Sequence, residues 1–337
     1  FEVKLGDEVY TGRRILVATG SEPVLPGLPG VREGLDSGRV MTNREIFDLK
    51  EVPGSLAVIG GGIVGLEMAS YFSAAGSRVT VLELLDHVAG PVDREISGIL
   101  QKNLAKRGVE FLLNCRATEI NDRGVVYTSV SDGSGDTKYV DADKVLVSIG
   151  RRPATEGLGL ENIGVAMERG RIMTDLHGRT SVPGVYAAGD VNGVSMLAHT
   201  AYREAEACIN DMLGIEDEIR YNAIPSVIYT DPEVAGVGET EESAAEKGID
   251  FVTARLPMTY SGRYAAENER GDGICKVIAD RRDMAVIGVH MIGSYSSEII
   301  YGAAMMIEKG MRVDDLKKVV FPHPTVSEII KEVMTGF

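Results

Sequence analysis

Residues 56–83 read LAVIGGGIVGLEMASYFSAAGSRVTVLE, and this stretch decides the fold of the chain. An apolar run leads into Gly60-x-Gly62-x-x-Gly65, an amphipathic segment follows, and a second apolar run ends in an acid. In this arrangement the first glycine makes a tight turn, the second lets the backbone approach a pyrophosphate, and the third lets a helix pack against a strand. The stretch therefore predicts a β-α-β unit that binds dinucleotide phosphates at a helix N-terminus.

The sequence on either side of the glycines fits the same unit. Residues 55–59 are apolar and partly β-branched, which predicts a strand, and the apolar spacing predicts a helix over 63–75. Gly76 follows this helix as a residue that tolerates left-handed backbone. Two alternatives, another bound nucleotide or a degenerate α/β repeat, agree less well with the complete pattern.

The acid at the end of the second apolar run bears on the choice of nucleotide. Glu83 stands about 20 residues after the glycines, the spacing at which a carboxylate bonds a ribose hydroxyl. Leu84 and Leu85 follow it, where an arginine would be needed to accommodate a 2′-phosphate. The sequence therefore predicts NAD rather than NADP.

Length and composition set the outer bounds. A chain of 337 residues is too long for one ordinary core and predicts two or three domains. Its 44% hydrophobic and 25% charged residues are typical of a globular protein in water, and no apolar stretch is long enough to cross a bilayer. The net charge of −15 argues against a nucleic-acid partner or an anionic membrane.

The three cysteines are spread along the chain. Cys115, Cys208 and Cys275 have neither metal-ligand nor redox-pair spacing, so we predict no metal site. None of them is a strong candidate for a nucleophile. Unpaired cysteines are typical of a reducing compartment, and we expect a cytoplasmic location.

Several short motifs occur in a fixed order along the chain. They are ATGS at 18–21, SIGRRP at 148–153, TSVPGVYAAGD at 180–190, MLAH at 196–199, IPSVIYTDPEVAGVG at 224–238 and HPTVSE at 323–328. With the glycine loop, this set resembles the flavin-dependent pyridine nucleotide–disulfide oxidoreductases, and among them most closely the enzymes that oxidise dihydrolipoamide. The resemblance covers almost the whole chain.

The resemblance implies an α/β fold with a defined division of the chain. We expect a partial FAD-binding domain made of residues 1–52 and 151–221. A Rossmann-like NAD-binding domain, residues 53–150, would be inserted into it, with a hairpin excursion over 121–140. Residues 222–337 would form an α+β dimerisation domain.

The resemblance also implies where the two cofactors bind. For FAD, the expected residues come from the strand end at ATGS, the acid of YAAGD and the helix start at MLAH: Thr19, Gly20, Ser21, Asp190, Met196, Leu197, Ala198 and His199. For NAD, they come from the glycine loop and the same cleft: Gly60, Gly61, Gly62, Ile63, Val64, Gly65, Glu67, Glu83, Ala117 and Gly150. Arg151 is also expected to bind a cofactor. Taken singly, Asp190 could merely cap a helix and His199 could be a packed histidine.

The HPTVSE segment carries the candidate catalytic residues. Thiol–disulfide exchange requires a thiolate, so a group that titrates near neutral pH is needed beside the sulfur, and His323 is the natural candidate. Glu328 would bond the other ring nitrogen and fix the tautomer. The resemblance implies that this pair reaches the disulfide of a second subunit, so we expect a homodimer. The segment also fits a plain helix start capped by Thr325 or Ser327.

The resemblance further predicts features that these residues do not contain. The family begins with its own glycine-rich β-α-β unit for the flavin diphosphate, followed by a Cys-x4-Cys redox pair. The cysteines here stand in other contexts, and the glycine loop at 60–65 is the nucleotide one. We therefore expect the sequence to be a fragment that lacks on the order of a hundred residues, one small domain.

Two classes of function remain open. An enzyme would pass electrons from dihydrolipoamide through a disulfide and FAD to NAD, with the lipoyl domain of a 2-oxoacid dehydrogenase or glycine cleavage complex as its partner. The alternative is a non-catalytic, NAD-binding dimeric module. Glutathione-type and mercuric reductases are rivals within the enzyme class. The former need basic residues after the second strand, and the latter end in cysteines, whereas this chain ends KEVMTGF.

Overall fold

A computed structural model describes residues 1–130, 135–269 and 271–337. These residues form two compact units, one made of Phe1–Val24 and Gly150–Tyr221 and the other of Leu25–Ile149 and Asn222–Phe337. No helix within the described ranges is long and apolar enough to cross a membrane.

The described residues form short strands and nine α-helices. The strands are β1 (Glu2–Leu5), β2 (Glu8–Thr11), β3 (Ile15–Val17), β4 (Ser21–Pro23), β5 (Val40–Met41), β6 (Ser55–Ile59), β7 (Arg78–Leu82), β8 (Glu110–Leu112), β9 (Cys115–Asn121), β10 (Gly124–Ser129), β11 (Thr137–Asp141), β12 (Lys144–Val147), β13 (Arg151–Pro153), β14 (Met167–Glu168), β15 (Arg171–Ile172), β16 (Val185–Ala187), β17 (Ser226–Ile228), β18 (Val234–Gly238), β19 (Phe251–Pro257), β20 (Ile274–Asp280) and β21 (Val286–Ile292). The α-helices are α1 (Val31–Asp36), α2 (Ile63–Ala74), α3 (Arg94–Lys106), α4 (Ala198–Met212), α5 (Glu241–Glu246), α6 (Gly262–Glu267), α7 (Ser296–Glu308), α8 (Val313–Leu316) and α9 (Glu328–Met334).

The second unit contains the parallel sheet that the glycine motif predicts. Its order is β5-β12-β6-β7-β8, and every neighbouring pair is parallel. Every residue of β6 is buried, as expected for a parallel strand covered on both faces. The predicted strand at 55–59 is confirmed, and the helix predicted over 63–75 ends one residue earlier.

The segment before the glycine motif packs differently from the predicted division. We expected residues 1–52 to belong with 151–221, but β5 pairs with β12 in the nucleotide sheet. The segment Leu25–Ile149 groups with this sheet, so the first of the two segments that make up the first unit ends at Val24. A two-residue strand inside irregular sequence carries too little periodicity to reveal its partner.

The predicted hairpin excursion is a three-stranded antiparallel sheet in the order β11-β10-β9. Its β10–β11 register runs from Gly124 opposite Asp141 to Thr128 opposite Thr137. The part of the predicted excursion at 131–134 lies outside the described residues.

Residues 222–337 form an antiparallel sheet in the order β17-β18-β21-β20-β19, with helices α7 and α9 against it. This sheet shares apolar packing with the nucleotide sheet, because Ile228, Val234 and Ile292 join the buried cluster that contains Leu56 and Val58. The two sheets of this unit therefore have a continuous core.

A buried ionic cluster also joins the two sheets. Lys276 on β20 is 1% exposed, and its ammonium lies 3.0 Å from Asp93, 2.7 Å from Glu241 and 2.9 Å from Glu95. Burial alone would lower the pKa of Lys276, but hydrogen bonds to the three carboxylates outweigh it and raise the pKa. Lys276 is therefore charged, and it ties the N-terminus of α3 to the antiparallel sheet.

The first unit is built from two-stranded sheets. The parallel pair β3–β16 carries its core, and β4–β13, β14–β15 and β1–β2 are antiparallel. The segment EVKLGDEVY forms the β1–β2 hairpin, which turns at Gly6, whose φ is +60°. Helix α4 packs its Ala207 and Cys208 inward.

Candidate functional sites

The glycine loop between β6 and α2 has the geometry that its sequence predicts. Gly60 has φ +104°, and a Cβ there would lie 2.3 Å from the carbonyl oxygen of Ser148. A Cβ at Gly65 would lie 2.2 Å from the carbonyl oxygen of Gly60. At Gly62, by contrast, no described atom lies within 4 Å of an added Cβ. Gly60 and Gly65 therefore serve the fold, and Gly62 leaves open space in front of the loop.

This open space lies at the N-terminus of α2. Gly62 is the N-cap residue, and no side chain caps the helix. The first-turn N–H groups, at Ile63, Val64 and Gly65, have no partner within the helix. Free N–H groups and the helix dipole favour an anion, so the loop fits a dinucleotide pyrophosphate.

Glu83 is tied to the glycine loop itself. Its carboxylate accepts a hydrogen bond from the backbone N–H of Gly61 at 2.6 Å and another from Leu85 at 2.8 Å. The carbonyl of Gly61 accepts from the N–H of Ala89 at 2.8 Å. The sequence indicated a ribose partner at Glu83 but not these backbone bonds, which fix the carboxylate at the edge of the loop.

Two other residues expected at the NAD site lie in this unit. The Glu67 carboxylate accepts from the backbone N–H of Tyr229 at 2.9 Å, and burial raises the pKa of this carboxyl. Ala117 lies on β9 and is partly buried. Glu67 thus links α2 to the end of β17, and the cofactor roles of both residues stay predictions.

Three of the expected cofactor residues meet in the first unit. The Ser21 hydroxyl donates to the Asp190 carboxylate, and Arg151 donates to the Ser21 hydroxyl at 2.7 Å and to its carbonyl at 2.8 Å. Arg151 also lies 3.9 Å from Asp190. This half-buried cluster offers a carboxylate to ligand hydroxyls, which fits the polyol chain of a flavin.

A residue that the sequence did not single out supports this cluster. Glu204 on α4 is fully buried and accepts hydrogen bonds from the backbone N–H of Gly189 and from the Tyr221 hydroxyl, the latter at 2.8 Å. Gly189 has φ +80° and precedes Asp190. Glu204 therefore holds the turn that presents Asp190, and a buried carboxylate in the middle of a helix is the signal that could have revealed it.

The other residues expected at the flavin and NAD sites also fall in the first unit. The Thr19 hydroxyl donates to the carbonyl of Ala154 at 2.8 Å. Gly20 and Gly150 both have left-handed φ angles, +74° and +119°. The predicted helix start at MLAH is confirmed, with Leu197 as N-cap and Ala198 as the first residue of α4, while Met196 and His199 are exposed.

The histidine and acid of HPTVSE are paired as predicted. His323 Nδ1 donates to Glu328 Oε1 at 2.9 Å, and Glu328 Oε2 accepts from the Thr325 backbone N–H at 2.9 Å. These two bonds, the backbone one first, lower the pKa of Glu328. The His323 side chain is 78% exposed, so Nε2 faces solvent. The arrangement is a base held by a carboxylate.

The cysteines are unsuited to thiol chemistry in this fold. All three are buried thiols. Burial raises the pKa of Cys208 and of Cys275 to about 12, so neither is a thiolate at neutral pH. Within the described ranges, no group of three His, Cys, Asp or Glu side chains could hold a metal ion.

Comparison with known families agrees with this geometry. Residues 2–205 match the pyridine nucleotide-disulphide oxidoreductase family, and residues 224–334 match the dimerisation domain of the same family. The chain belongs to this family of flavin-dependent disulfide oxidoreductases.

Within the family, the chain is similar to dihydrolipoyl dehydrogenases. It is 40% identical to dihydrolipoyl dehydrogenase 3 of Pseudomonas aeruginosa, over 97% of this chain and 69% of that protein. It is 38% identical to the mitochondrial enzyme of Caenorhabditis elegans, over 96% of this chain and 66% of that protein. The chain thus spans about two thirds of the length of these relatives.

The chain is also similar to solved structures. LpdA from Mycobacterium tuberculosis has a TM-score of 0.88 and 30% identity, covering 99% of this chain and 72% of that chain. The HOCl-induced flavoprotein disulfide reductase RclA from Escherichia coli has a TM-score of 0.86 and 29% identity, covering 98% of this chain and 75% of that chain.

Proposed function

We propose that this chain supplies the NAD site and the acid–base pair of a dihydrolipoyl dehydrogenase, which oxidises dihydrolipoamide to lipoamide and reduces NAD. The observation that carries the proposal is the pairing of an exposed His323 with Glu328. The 40% identity to a dihydrolipoyl dehydrogenase supports it.

The pair would act by moving a proton. Because His323 Nδ1–H donates to Glu328, the second ring nitrogen, Nε2, carries the free lone pair. That nitrogen can take a proton from a substrate thiol, which makes the thiolate that attacks a disulfide. Glu328 would stabilise the imidazolium that results.

The three cysteines of these residues are buried and lie far apart in the sequence, so other residues would have to supply the redox disulfide. We therefore expect the 337-residue chain alone to show no oxidation of dihydrolipoamide. The partner would be the lipoyl domain of a 2-oxoacid dehydrogenase or glycine cleavage complex. A cytoplasmic location belongs to the same proposal.

Both cofactors fit residues on this chain. The loop at Gly60–Gly65 and Glu83 would hold NAD, and Ser21, Arg151 and Asp190 would hold the hydroxyl-bearing chain of FAD. When bound, the flavin would carry electrons between the dithiol and the nicotinamide. The match of residues 224–334 to the dimerisation domain supports a homodimer, in which His323 would serve the other subunit.

A reductase of a different disulfide is the second candidate, and the likeness to RclA favours it. The two differ in substrate, so the test is dihydrolipoamide-dependent formation of NADH in a form of the protein that carries FAD and a redox disulfide. Turnover that is lost in His323→Gln would support the proposal. Turnover of other disulfides with NADH, but none of dihydrolipoamide, would replace it with the second candidate.

The dimer and the nucleotide preference can be tested on the chain as it stands. Light scattering at micromolar concentration should give a homodimer, and a monomer would count against it. Calorimetric titration should give tighter binding of NAD than of NADP. If the chain binds NAD but no flavin-loaded form turns over, the result would favour the alternative of a non-catalytic, NAD-binding dimeric module.

A further inference from the structure

The acid–base pair joins an exposed stretch at 322–324 to Glu328, the first residue of α9. The His323 side chain is 78% exposed, and within the part of the chain that the structure describes its ring bonds to one residue, Glu328. Glu328 in turn is held by the backbone N–H of Thr325. The orientation of the histidine therefore depends on how firmly the peptide at Thr325 is fixed.

A serine from a distant part of the sequence bonds to the backbone of Thr325 on the other side of its Cα. The Ser261 hydroxyl donates to the carbonyl oxygen of Thr325 at 2.9 Å, and Ser261 is only 1% exposed. The hydroxyl oxygen of Ser261 also accepts a hydrogen bond from the backbone N–H of Tyr264 at 3.2 Å, because Ser261 is the N-cap of α6. The Ser261 hydroxyl thus donates its proton to the Thr325 carbonyl and uses an oxygen lone pair to cap α6.

We propose that Ser261 is a positioning residue for the His323–Glu328 pair. It holds the Thr325 carbonyl, the Thr325 N–H holds Glu328, and Glu328 holds Nδ1 of His323. The inference rests on the proposed function for its purpose, but its geometry concerns the resting chain alone.

A merely structural serine would affect folding without affecting the histidine. Loss of the helix cap alone would lower the thermal midpoint and leave the pair intact. Loss of the donor to Thr325 instead frees the loop, so Glu328 would no longer select the Nδ1–H tautomer. The tautomer of His323 therefore distinguishes the two roles.

The experiment uses the 337-residue chain with histidine labelled with ¹³C and ¹⁵N, and reads the ring shifts by NMR. The His323 signals are assigned by their loss in His323→Gln. The wild type should show the Nδ1–H tautomer, and Ser261→Ala should move most of that population to Nε2–H. Ser261→Thr, which keeps the hydroxyl, should restore it.

Ser296→Ala is the matched control. Ser296 is also fully buried and donates to a backbone carbonyl, that of Gly293, but it lies at the start of α7. It should lower the thermal midpoint as Ser261→Ala does and leave the His323 tautomer unchanged. If Ser261→Ala does not fold, Ser261→Cys keeps the size with a weaker donor and should give a partial shift.

The proposal is overturned if folded Ser261→Ala, or Ser261→Cys in its place, keeps the wild-type tautomer. It is overturned as well if Ser296→Ala shifts the tautomer equally. Neither result depends on dihydrolipoamide turnover, so failure of this inference and failure of the proposed function are distinguishable.

Discussion

The glycine loop and the HPTVSE segment are held in opposite ways. The loop is packed against its own strand and against Ser148, with contacts so close that two of its three motif glycines accept no side chain. His323 instead projects into solvent and is oriented through a relay of single hydrogen bonds. One region is shaped by sterics and the other by polar contacts.

This difference agrees with the roles proposed for the two regions. A pyrophosphate needs a rigid row of N–H groups, which backbone packing supplies before the ligand arrives. A base that serves a substrate from another molecule must be reachable, so it cannot be buried for support. Substitutions at Gly60 and Gly65 should therefore act on folding and binding together, while those at His323 should act on chemistry alone.

The largest expected effect tests the steric part of this contrast. Gly60→Ala would force a left-handed alanine against the Ser148 carbonyl, and we expect a loss of about 3–5 kcal/mol of folding stability with no measurable NAD binding. Gly62→Ala is the control, because its Cβ meets no described atom. It should fold normally yet bind NAD at least tenfold more weakly. Equal destabilisation by both variants, measured by denaturant unfolding, would contradict the assignment.

The next effect tests the polar part. His323→Gln should reduce dihydrolipoamide-dependent NADH formation by about 10²–10⁴-fold in a form of the protein that turns over, because the thiol loses its base. The side chain is exposed, so stability and NAD affinity should stay within about 0.5 kcal/mol of wild type. Steady-state kinetics and calorimetry on the same samples give both numbers. A stability loss comparable to that of Gly60→Ala would mean that His323 has a structural role.

A third substitution tests the buried ionic cluster that joins the N-terminus of α3 to the antiparallel sheet. Lys276→Met would leave the Asp93 carboxylate buried without its cation, at a cost of about 3–5 kcal/mol. Lys276→Met together with Asp93→Asn should recover much of that loss, since the uncompensated charge is gone. Additive effects of the two changes, measured by urea unfolding, would show that the pair is not coupled.

Sequence reasoning performed best where the determinants are contiguous. The strand at Ser55–Ile59, the helix from Ile63 and the pairing of His323 with Glu328 all lie within a few residues of their motif, and all are confirmed. It missed Lys276 with Asp93, and Ser261 with Thr325, because each partner lies far away in sequence. A lysine in a strand or a serine in a loop has no local pattern that reveals a buried partner.

A smaller effect is expected at Glu83, at the edge of the glycine loop. Glu83→Ala removes the acceptor for the Gly61 and Leu85 N–H groups and the carboxylate that would face a 2′-phosphate. We expect NAD to bind about tenfold more weakly, roughly 1.4 kcal/mol, and the preference over NADP to shrink. Glu83→Gln keeps an acceptor oxygen, so its affinity for NAD should lie between that of the wild type and that of Glu83→Ala. If NADP binding is unchanged in both variants, Glu83 does not set the preference.

The smallest effect concerns pH and a histidine that contrasts with His323. His290 on β21 is buried and donates from Nε2 to the Glu239 carbonyl at 2.7 Å, with the charged groups of Asp93, Lys276 and Glu242 around it. Burial lowers the pKa of His290, so the unfolded chain takes up a proton near its ordinary value of about 6.5 while the folded chain does not. Stability is therefore present above that pH and falls as the pH drops through it.

Urea unfolding at pH 7.5 and 5.5 should show this loss in the wild type and a smaller one in His290→Gln, which has no proton to gain. His323→Gln is the matched control, because it removes an exposed imidazole and leaves the buried one at His290 in place. The His323→Gln variant should lose as much stability as the wild type when the pH is lowered. A wild type and a His290→Gln variant that lose stability in parallel would mean that some other group carries the pH dependence.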